Sequence, residues 1–192
     1  MHERMFSAAL ADRLDRPERQ LWLPPEQVLA QLKVKAGEVV VDLGAGTGYF
    51  TLPLSQAVGD KGTIYAVDAQ AEMLTRLQQK LEAASISNVR AVLATAEATG
   101  LPARCADLIL LANIWHEFED HAAVLDECRR ILRGDGRIAI LDWRTDVEPD
   151  PGPPVSHRIP VKEAESVLLA AGYRRPQVDM VGPFTWMVQS TC

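Results

Sequence analysis

From Glu38 onward, short apolar segments rich in β-branched residues alternate with longer segments in which apolar residues recur every three or four positions. The spacing of Met73, Leu74, Leu77 and Leu81 is an example of the second kind and predicts an amphipathic helix. Such alternation is typical of repeated strand–helix–strand units and of an α/β fold with a largely parallel sheet. The predicted strands are 38–43, 62–67, 88–93, 106–112 and 136–143, with a closing pair near 175–180 and 184–190, and the predicted helices lie near 47–58, 70–84, 119–132 and 161–171.

Two segments lie outside this alternation. Residues 1–36 carry a Pro24-Pro25 break before the amphipathic stretch EQVLAQL, and we expect helical pieces there, which either stay open or fold over the neighbouring site as a lid. Residues 144–160 read RTDVEPDPGPPVSHRIP, and their proline density excludes a helix or a central strand. Gly134 and Gly136 predict a tight turn into the strand that follows them.

The composition is that of an ordinary globular domain, with 192 residues, 47% hydrophobic and 24% charged. We therefore expect one domain over 1–192, with 37–192 as its core. A net charge of -6 supplies no basic field for phosphates and disfavours a nucleic-acid partner. No apolar run predicts a signal peptide or a membrane span, and the cysteines show no metal or redox spacing, so we expect a cytoplasmic protein without a metal site. These cysteines are Cys105, Cys128 and Cys192.

The strongest motif is VVVDLGAGTGYF, in which a buried strand runs into the glycine-rich turn 44–48. Glycines at such a turn allow a ligand to approach the backbone, whose free N–H groups favour a carboxylate or a phosphate. Tyr49 stands where the dinucleotide fingerprint needs its third glycine, which opposes an NAD-dependent oxidoreductase. Asp68 follows the next strand at the offset where an acid binds ribose hydroxyls. This order of strand, glycine-rich turn, helix, strand and acid predicts a nucleoside-binding site. The alternative is a Rossmann-like scaffold that binds no nucleoside.

Five motifs, VVVDLGAGTGYF, IYAVDAQAEML, AEATGLP, ADLILLANIWHEFED and ILRGDGRIAILDW, follow one another in the order of a known family. The chain resembles the class I S-adenosylmethionine-dependent methyltransferases, near the ubiquinone/menaquinone and arsenite methyltransferases of types 11 and 31. The resemblance implies a Rossmann-like, doubly wound sheet of about seven strands with an antiparallel last strand and helices on both faces. It also implies S-adenosylmethionine as cofactor and S-adenosylhomocysteine as product.

The resemblance implies that twelve residues of this chain contact the cofactor. The turn residues surround the methionyl part, Asp42 lies near its amino group or caps the turn, and Asp68 holds the ribose. Met73 faces the adenine or packs in the core, and Glu97 accepts the adenine amino group or is solvated. The complete set is Asp42, Gly44, Ala45, Gly46, Gly48, Asp68, Ala69, Met73, Ala96, Glu97, Asn113 and Ile114.

His116 is the candidate general base, because it follows the fourth strand at the ligand-binding edge of the sheet. A structural role for His116 is the alternative, and a base is needed only for an acceptor that arrives protonated, such as an alcohol or a carbon acid. The segment Asn113-Ile114-Trp115-His116 lacks the Asn/Asp-Pro-Pro-aromatic motif of many N-methyltransferases, and the cysteines lack the clustering of arsenite methyltransferases. Candidate acceptor contacts are Trp22, Trp115 and Arg158. The alternative for Trp115 is packing in the core, and the alternative for Arg158 is a place in a stiff, exposed connection.

The sequence therefore predicts a methyltransferase that transfers a methyl group to a small-molecule acceptor by in-line displacement. The alternative is a non-catalytic S-adenosylmethionine-binding or scaffold protein of the same fold. As partners we expect the small-molecule acceptor, no nucleic acid and no membrane span, in a monomer or a homodimer.

Overall fold

The computed structural model describes residue 6, residues 8–148 and residues 151–192. Seven strands and six α-helices alternate along most of the chain. The strands are β1 Val39–Leu43, β2 Thr63–Asp68, β3 Val89–Leu93, β4 Ala106–Ala112, β5 Leu132–Trp143, β6 Arg174–Val181 and β7 Thr185–Thr191. The helices are α1 Arg19–Trp22, α2 Pro25–Leu32, α3 Thr51–Val58, α4 Ala71–Ala83, α5 His121–Ile131 and α6 Val161–Ala170. Short 3₁₀ turns cover Ala8–Arg13, Trp115–Glu117 and Val155–His157.

The strands form a single sheet in the order β3-β2-β1-β4-β5-β7-β6. Strands β1 to β5 run parallel, whereas β7 is antiparallel to both of its neighbours. The order reverses between β1 and β4, and open α/β sheets bind ligands beyond the carboxyl ends of the strands at such a reversal. This confirms the predicted α/β, Rossmann-like fold and places the glycine-rich turn after β1 at that position.

Both faces of the sheet are covered, so the central strands are apolar on both sides. Helices α5 and α6 lie over the face that carries Ile109 and Ile140. Helices α2 and α3 pack on the opposite face, which carries Leu108 and Leu141. The near-continuous apolar runs that predicted β1, β4 and β5 therefore follow from burial on both faces.

Two predicted boundaries were wrong. Helix α3 begins at Thr51 rather than at residue 47, because the three glycines of the preceding turn have positive φ angles that an α-helix does not contain. Strand β5 begins at Leu132, directly after α5, so the tight turn predicted at Gly134 and Gly136 is absent from this described part of the chain. An irregularity in the pairing of β4 with β5 takes up these residues instead.

The N-terminal segment, residues 8–22, lies against the glycine-rich turn and α4. Asp15 accepts hydrogen bonds from Thr47 Oγ1 and Lys80 Nζ, each at 2.6 Å. Asp12 pairs with Arg76 of α4. Helical pieces were expected in residues 1–36, and residues 8–36 contain them, whereas residues 1–5 and 7 lie outside the described residues. The contacts of residues 8–22 fix that segment beside the carboxyl edge of the sheet.

Among residue 6, residues 8–148 and residues 151–192, no helix is long and apolar enough to cross a bilayer.

Candidate functional site

The glycine-rich turn brings the end of β1 close to the loop that follows β4. Gly44 and Ala45 donate backbone hydrogen bonds to Val67 O at 2.8 and 3.0 Å. Gly44 has a φ of +76°, and a Cβ atom there would lie 2.0 Å from Ile114 Cδ1. Only glycine satisfies both the backbone angle and this contact. The turn therefore presents bare backbone at the carboxyl edge of the sheet.

Asp68 ends β2 and connects the glycine-rich turn to the start of α4. Its Oδ2 accepts the Gly46 N–H at 2.8 Å, and its Oδ1 accepts the Gln70 N–H at 2.9 Å. Burial raises the pKa of Asp68, and the hydrogen bonds from Gln70, Gly46 and Ala69 oppose that rise. The carboxyl group lies half-buried at the site where a ribose-binding acid is expected.

Asp42 is buried at the end of β1 and accepts a hydrogen bond from Thr51 Oγ1 at 2.5 Å. Burial raises the pKa of Asp42 to about 6, with the hydrogen bond from Thr51 acting in the opposite direction. The bond to Thr51 ties β1 to the first residue of α3. The hydrogen bond from Thr51 thus supports the alternative in which Asp42 caps the turn, while the contact of Asp42 with the cofactor stays a prediction.

Asn113 and Ile114 leave β4 beside the glycine-rich turn. Asn113 has a left-handed φ of +57°, and its backbone N–H donates to Leu141 O at 2.7 Å. Its side-chain Oδ1 lies 3.5 Å from an Arg19 guanidinium nitrogen. Within the described ranges, the buried Nδ2 of Asn113 has no hydrogen-bond acceptor. A buried donor left in this way indicates a polar ligand group at the edge of the sheet.

Four predicted adenine contacts lie along the edge that leads from β2 to β3 and beyond. Ala69 and Glu97 are exposed, whereas Met73 and Ala96 are buried. The burial of Met73 within α4 favours its core alternative, and the exposure of Glu97 is compatible with either of its roles. The cofactor role of all four stays a prediction.

A buried carboxylate holds the loop that contains Ala96 and Glu97. Glu127 of α5 accepts hydrogen bonds from the backbone N–H of Thr99 at 2.9 Å and from the Thr99 hydroxyl. Arg130 donates to Glu127 from Nε at 2.7 Å and also to Leu101 O at 2.7 Å. The hydrogen bonds from Arg130 and then Thr99 hold the pKa of Glu127 down at about 2, against the effect of burial.

We expect Glu127→Gln to lower the free energy of unfolding by about 1–3 kcal/mol at pH 7, because it weakens charge-assisted hydrogen bonds. Since the pKa of Glu127 is depressed in the folded protein, the stabilisation is present above 4.5, the ordinary pKa of glutamate, and is lost as the pH falls towards about 2. The difference from wild type in urea unfolding should thus be smaller at pH 4 than at pH 7. Glu82→Gln, at an exposed position of α4, is the control. A difference that stays constant with pH would contradict this account.

His116 and Asp142 form a buried pair where β4 and β5 end side by side. His116 Nδ1 lies 2.9 Å from Asp142 Oδ1, and the His116 backbone N–H donates to Asp142 Oδ2 at 2.8 Å. Only 6% of His116 and 1% of Asp142 is exposed. The Trp143 N–H also donates to Asp142, at 2.8 Å. The carboxylate therefore fixes the ring orientation and favours a proton on Nδ1.

Glu117 follows directly and lies on the other side of the imidazole, with Oε1 4.0 Å from His116 Nε2. Burial raises the pKa of Glu117 to about 7, against the effects of His116 and of a hydrogen bond from the Phe6 backbone. Burial alone disfavours a charged His116, but the Asp142 carboxylate outweighs it and raises the pKa of His116 above 6.5. Because the two groups lie this close, the protonation state of each affects the pKa of the other.

The three predicted acceptor contacts lie in different surroundings. Trp115 is 1% exposed and packs in the core against Phe118 and His121, which favours its core alternative. Trp22 is half-buried, with its ring 5.3 Å from that of Trp143. Arg158 is buried, and its guanidinium donates to backbone carbonyls of the proline-rich segment, including Arg144 O at 2.7 Å.

These contacts give Arg158 a structural role in the connection after β5, as its second alternative predicts, but Arg158 is buried there rather than exposed. Its contact with an acceptor, like those of Trp22 and Trp115, stays a prediction.

Sequence reasoning missed Asp142 and Lys80, and it placed Arg19 only within the segment that either stays open or closes over the donor. Asp142 had a recognisable signal, since an acid that ends the strand next to β4 must lie near the residues that follow β4. Arg19 and Lys80 had none, because their positions depend on how the N-terminal segment packs.

The fold and the site define a class: a Rossmann-like domain whose glycine-rich turn and ribose-type acid suit a nucleoside ligand. A family model described as a methyltransferase domain matches residues 41–140. The chain belongs to this family, the class I S-adenosylmethionine-dependent methyltransferases. S-adenosylmethionine is therefore its cofactor, and the orphaned Asn113 donor, the bare glycine backbone and Asp68 fit that molecule.

A solved S-adenosylmethionine-dependent methyltransferase from Aquifex aeolicus is similar over nearly the whole chain. It has a TM-score of 0.93 and 31% identity, with 97% of this chain and 98% of that chain covered. Fibrillarin from Aeropyrum pernix, solved with bound S-adenosylmethionine, shares the fold at a TM-score of 0.67 and 21% identity, over 86% of this chain and 74% of that one.

Curated relatives are similar over a shorter length. Demethylmenaquinone methyltransferase of Shouchella clausii is 30% identical over 61% of this chain and 50% of its own length. Ubiquinone/menaquinone biosynthesis C-methyltransferase UbiE of Shewanella oneidensis is 34% identical over 57% of this chain and 44% of its own. The chain thus spans about half the length of these relatives.

Proposed function

We propose that this protein transfers the methyl group of S-adenosylmethionine to a small molecule whose nucleophilic atom must lose a proton, a hydroxyl oxygen or an acidic carbon on a planar ring. The buried His116–Asp142 pair at the donor edge of the sheet carries the proposal. A methyltransferase acting on a neutral amine or a thiolate has little need of such a base, because those acceptors already carry an available lone pair.

The sulfonium of the bound cofactor supplies an activated methyl group. The acceptor's oxygen or carbon forms its new bond to the methyl carbon as the bond from that carbon to sulfur breaks, in line and from the opposite side. The acceptor proton passes to His116 Nε2, while Nδ1–H stays hydrogen-bonded to Asp142. Asp142 thus stabilises the imidazolium that forms and keeps its ring in place.

Glu117 can act as the next proton acceptor after His116. Its carboxyl group lies 4.0 Å from His116 Nε2, and its pKa of about 7 lets it take up or release a proton near neutrality. Proton exit along this route would restore neutral His116 for the next turnover.

An aromatic cluster beside β5 supports a planar acceptor. Trp22 lies against Trp143 at 5.3 Å and edge-on to Phe184 at 6.2 Å between ring centroids. Trp22 and Phe184 are half-buried, so parts of their rings face outward. The relatives whose names refer to demethylmenaquinone and to C-methylation are consistent with ring carbon as the acceptor atom.

The test is methyl transfer from labelled S-adenosylmethionine to matched acceptors. Hydroquinones and phenols are compared with anilines of the same ring size, with product methylation followed by mass spectrometry. Transfer to the hydroxylated rings and not to the anilines is expected. Transfer to anilines alone would contradict the proposed acceptor class, and donor binding without any transfer would favour a non-catalytic protein.

A further inference from the structure

Arg19 is a buried cation with weak hydrogen bonding at the donor site. Only 8% of the residue is exposed. Its two hydrogen bonds are long: 3.3 Å to Leu14 O and 3.5 Å to Asn113 Oδ1. The guanidinium also stacks over the Tyr49 ring, 3.9 Å from its centroid. The guanidinium has five N–H donors and, within the described part of the chain, only these two long hydrogen bonds, so the free-energy cost of burying its charge is only partly compensated.

The neighbouring carboxylates are engaged elsewhere. Asp15 accepts from Thr47 and Lys80, and Asp42 accepts from Thr51. The Asp15 and Asp42 carboxylates affect Arg19 only by longer-range electrostatic attraction. No carboxylate of the described residues forms an ion pair with Arg19. Burial accordingly lowers the pKa of Arg19 to about 10.

Asn113 adds a second uncompensated donor at the same place. Its Oδ1 faces Arg19, while its buried Nδ2 has no acceptor among residues 8–148 and 151–192. A weakly hydrogen-bonded guanidinium and an amide donor without an acceptor thus lie together, beside the bare backbone of the glycine-rich turn. Leu14, at the turn before Arg19, is 3.4 Å from where a Cβ of Gly46 would be, which shows how closely the segment approaches.

We propose that Arg19 binds the α-carboxylate of the S-adenosylmethionine methionyl group, with Asn113 Nδ2 as the second donor. The methionyl end is a zwitterion, and the site offers it both signs of charge. Asp42, within electrostatic range of Arg19, suits the ammonium group, and the guanidinium suits the carboxylate. The N-terminal segment is thereby part of the donor site, because it supplies the guanidinium that faces Asn113.

The assignment requires that Arg19 discriminate ligands by their carboxylate. The two probes are S-adenosylhomocysteine and its decarboxylated form, S-adenosyl-3-thiopropylamine, which keeps the adenosine, the sulfur and the amine. The variants are Arg19→Met, which removes the charge at similar length, and Arg19→Lys, which keeps it. Arg16→Met removes an exposed arginine of the same segment and is the matched control.

Isothermal titration should show that Arg19→Met weakens binding of S-adenosylhomocysteine by about 10- to 100-fold. Its affinity for the decarboxylated ligand should stay within about twofold of wild type or rise, and Arg19→Lys should recover part of the loss. Equal weakening of both ligands would overturn the proposal, since Arg19 would then act only by holding the segment in place.

The wild-type protein provides a test that does not depend on a variant folding. It should bind S-adenosylhomocysteine about 10- to 100-fold more tightly than the decarboxylated ligand. Equal affinity for the two would overturn the assignment of Arg19. Failure to bind either ligand would overturn the donor site and the assignment together.

Discussion

Replacing His116 by alanine should lower the turnover of a hydroxylated acceptor by about 100- to 10,000-fold, the usual contribution of a general base. Asp142→Asn should lower it by about 10- to 100-fold, because the amide no longer stabilises the imidazolium and no longer selects the tautomer with a free Nε2. Donor affinity should change little in both variants, since neither side chain contacts the glycine-rich turn or Asp68 among the described contacts. Single-turnover assays paired with calorimetry on the same preparations separate these quantities.

The pH dependence distinguishes a base from a packing residue. A general base must be neutral to take up a proton, and the Asp142 carboxylate outweighs burial and raises the pKa of His116 above its ordinary value. With His116 as the base, the wild-type rate should therefore rise with pH through a midpoint above that ordinary value. In Asp142→Asn, burial and the charge of Arg158 still lower the pKa of His116 and only Glu117 still raises it, so the midpoint should move below the wild-type value.

Asp179→Asn, at an exposed position of β6, is the matched control and should leave both the rate and the profile unchanged. An unshifted profile in Asp142→Asn, with a lower rate and intact donor binding, would show that His116 is not the titrating base.

Asp68→Ala should weaken S-adenosylmethionine binding by about 100- to 1,000-fold, since it removes the carboxylate that is predicted to accept two hydrogen bonds from the ribose hydroxyls. The same change removes the acceptor of the Gly46 and Gln70 N–H groups, which fixes the shape of the turn. Asp68→Asn keeps one acceptor oxygen and should show a smaller loss. Calorimetric titration with the donor measures both.

Asp60→Ala is the control for Asp68→Ala, because Asp60 is exposed in the connection between α3 and β2. Thermal unfolding without ligand shows whether each variant is folded. A folded Asp68→Ala protein with wild-type affinity would contradict the ribose assignment.

The fold could be predicted from the sequence largely because its signals are local. Each strand is a short apolar run, each helix has three- and four-residue spacing, and Asp68 follows its strand directly. The start of β5 was missed since pairing with Ala106, a contact across the sheet, extends the strand back to Leu132. Local glycine preferences at Gly134 and Gly136 gave the opposite indication.

The site was predictable only where chain order determines spatial order. His116 was identified from its position after β4, but its orientation depends on Asp142, which lies 26 positions further along the chain. The role of Arg19 required knowing that residues 8–22 cross the sheet edge. The two alternatives for Trp115 and for Arg158 differ in burial, which depends on how distant segments pack.

The contacts of Trp22 bear on the order in which the protein folds. Its ring packs on Trp143 and Phe184, and its carbonyl oxygen lies 2.1 Å from where a Cβ of Gly182 would be. These partners are far from Trp22 in the sequence and come together only when β6 and β7 have paired with β5. Because contacts of long sequence separation form late, we expect the N-terminal segment to dock last. A chain stalled before this step would have an assembled sheet, but Arg19, the cation that we propose for cofactor binding, would still be exposed to water.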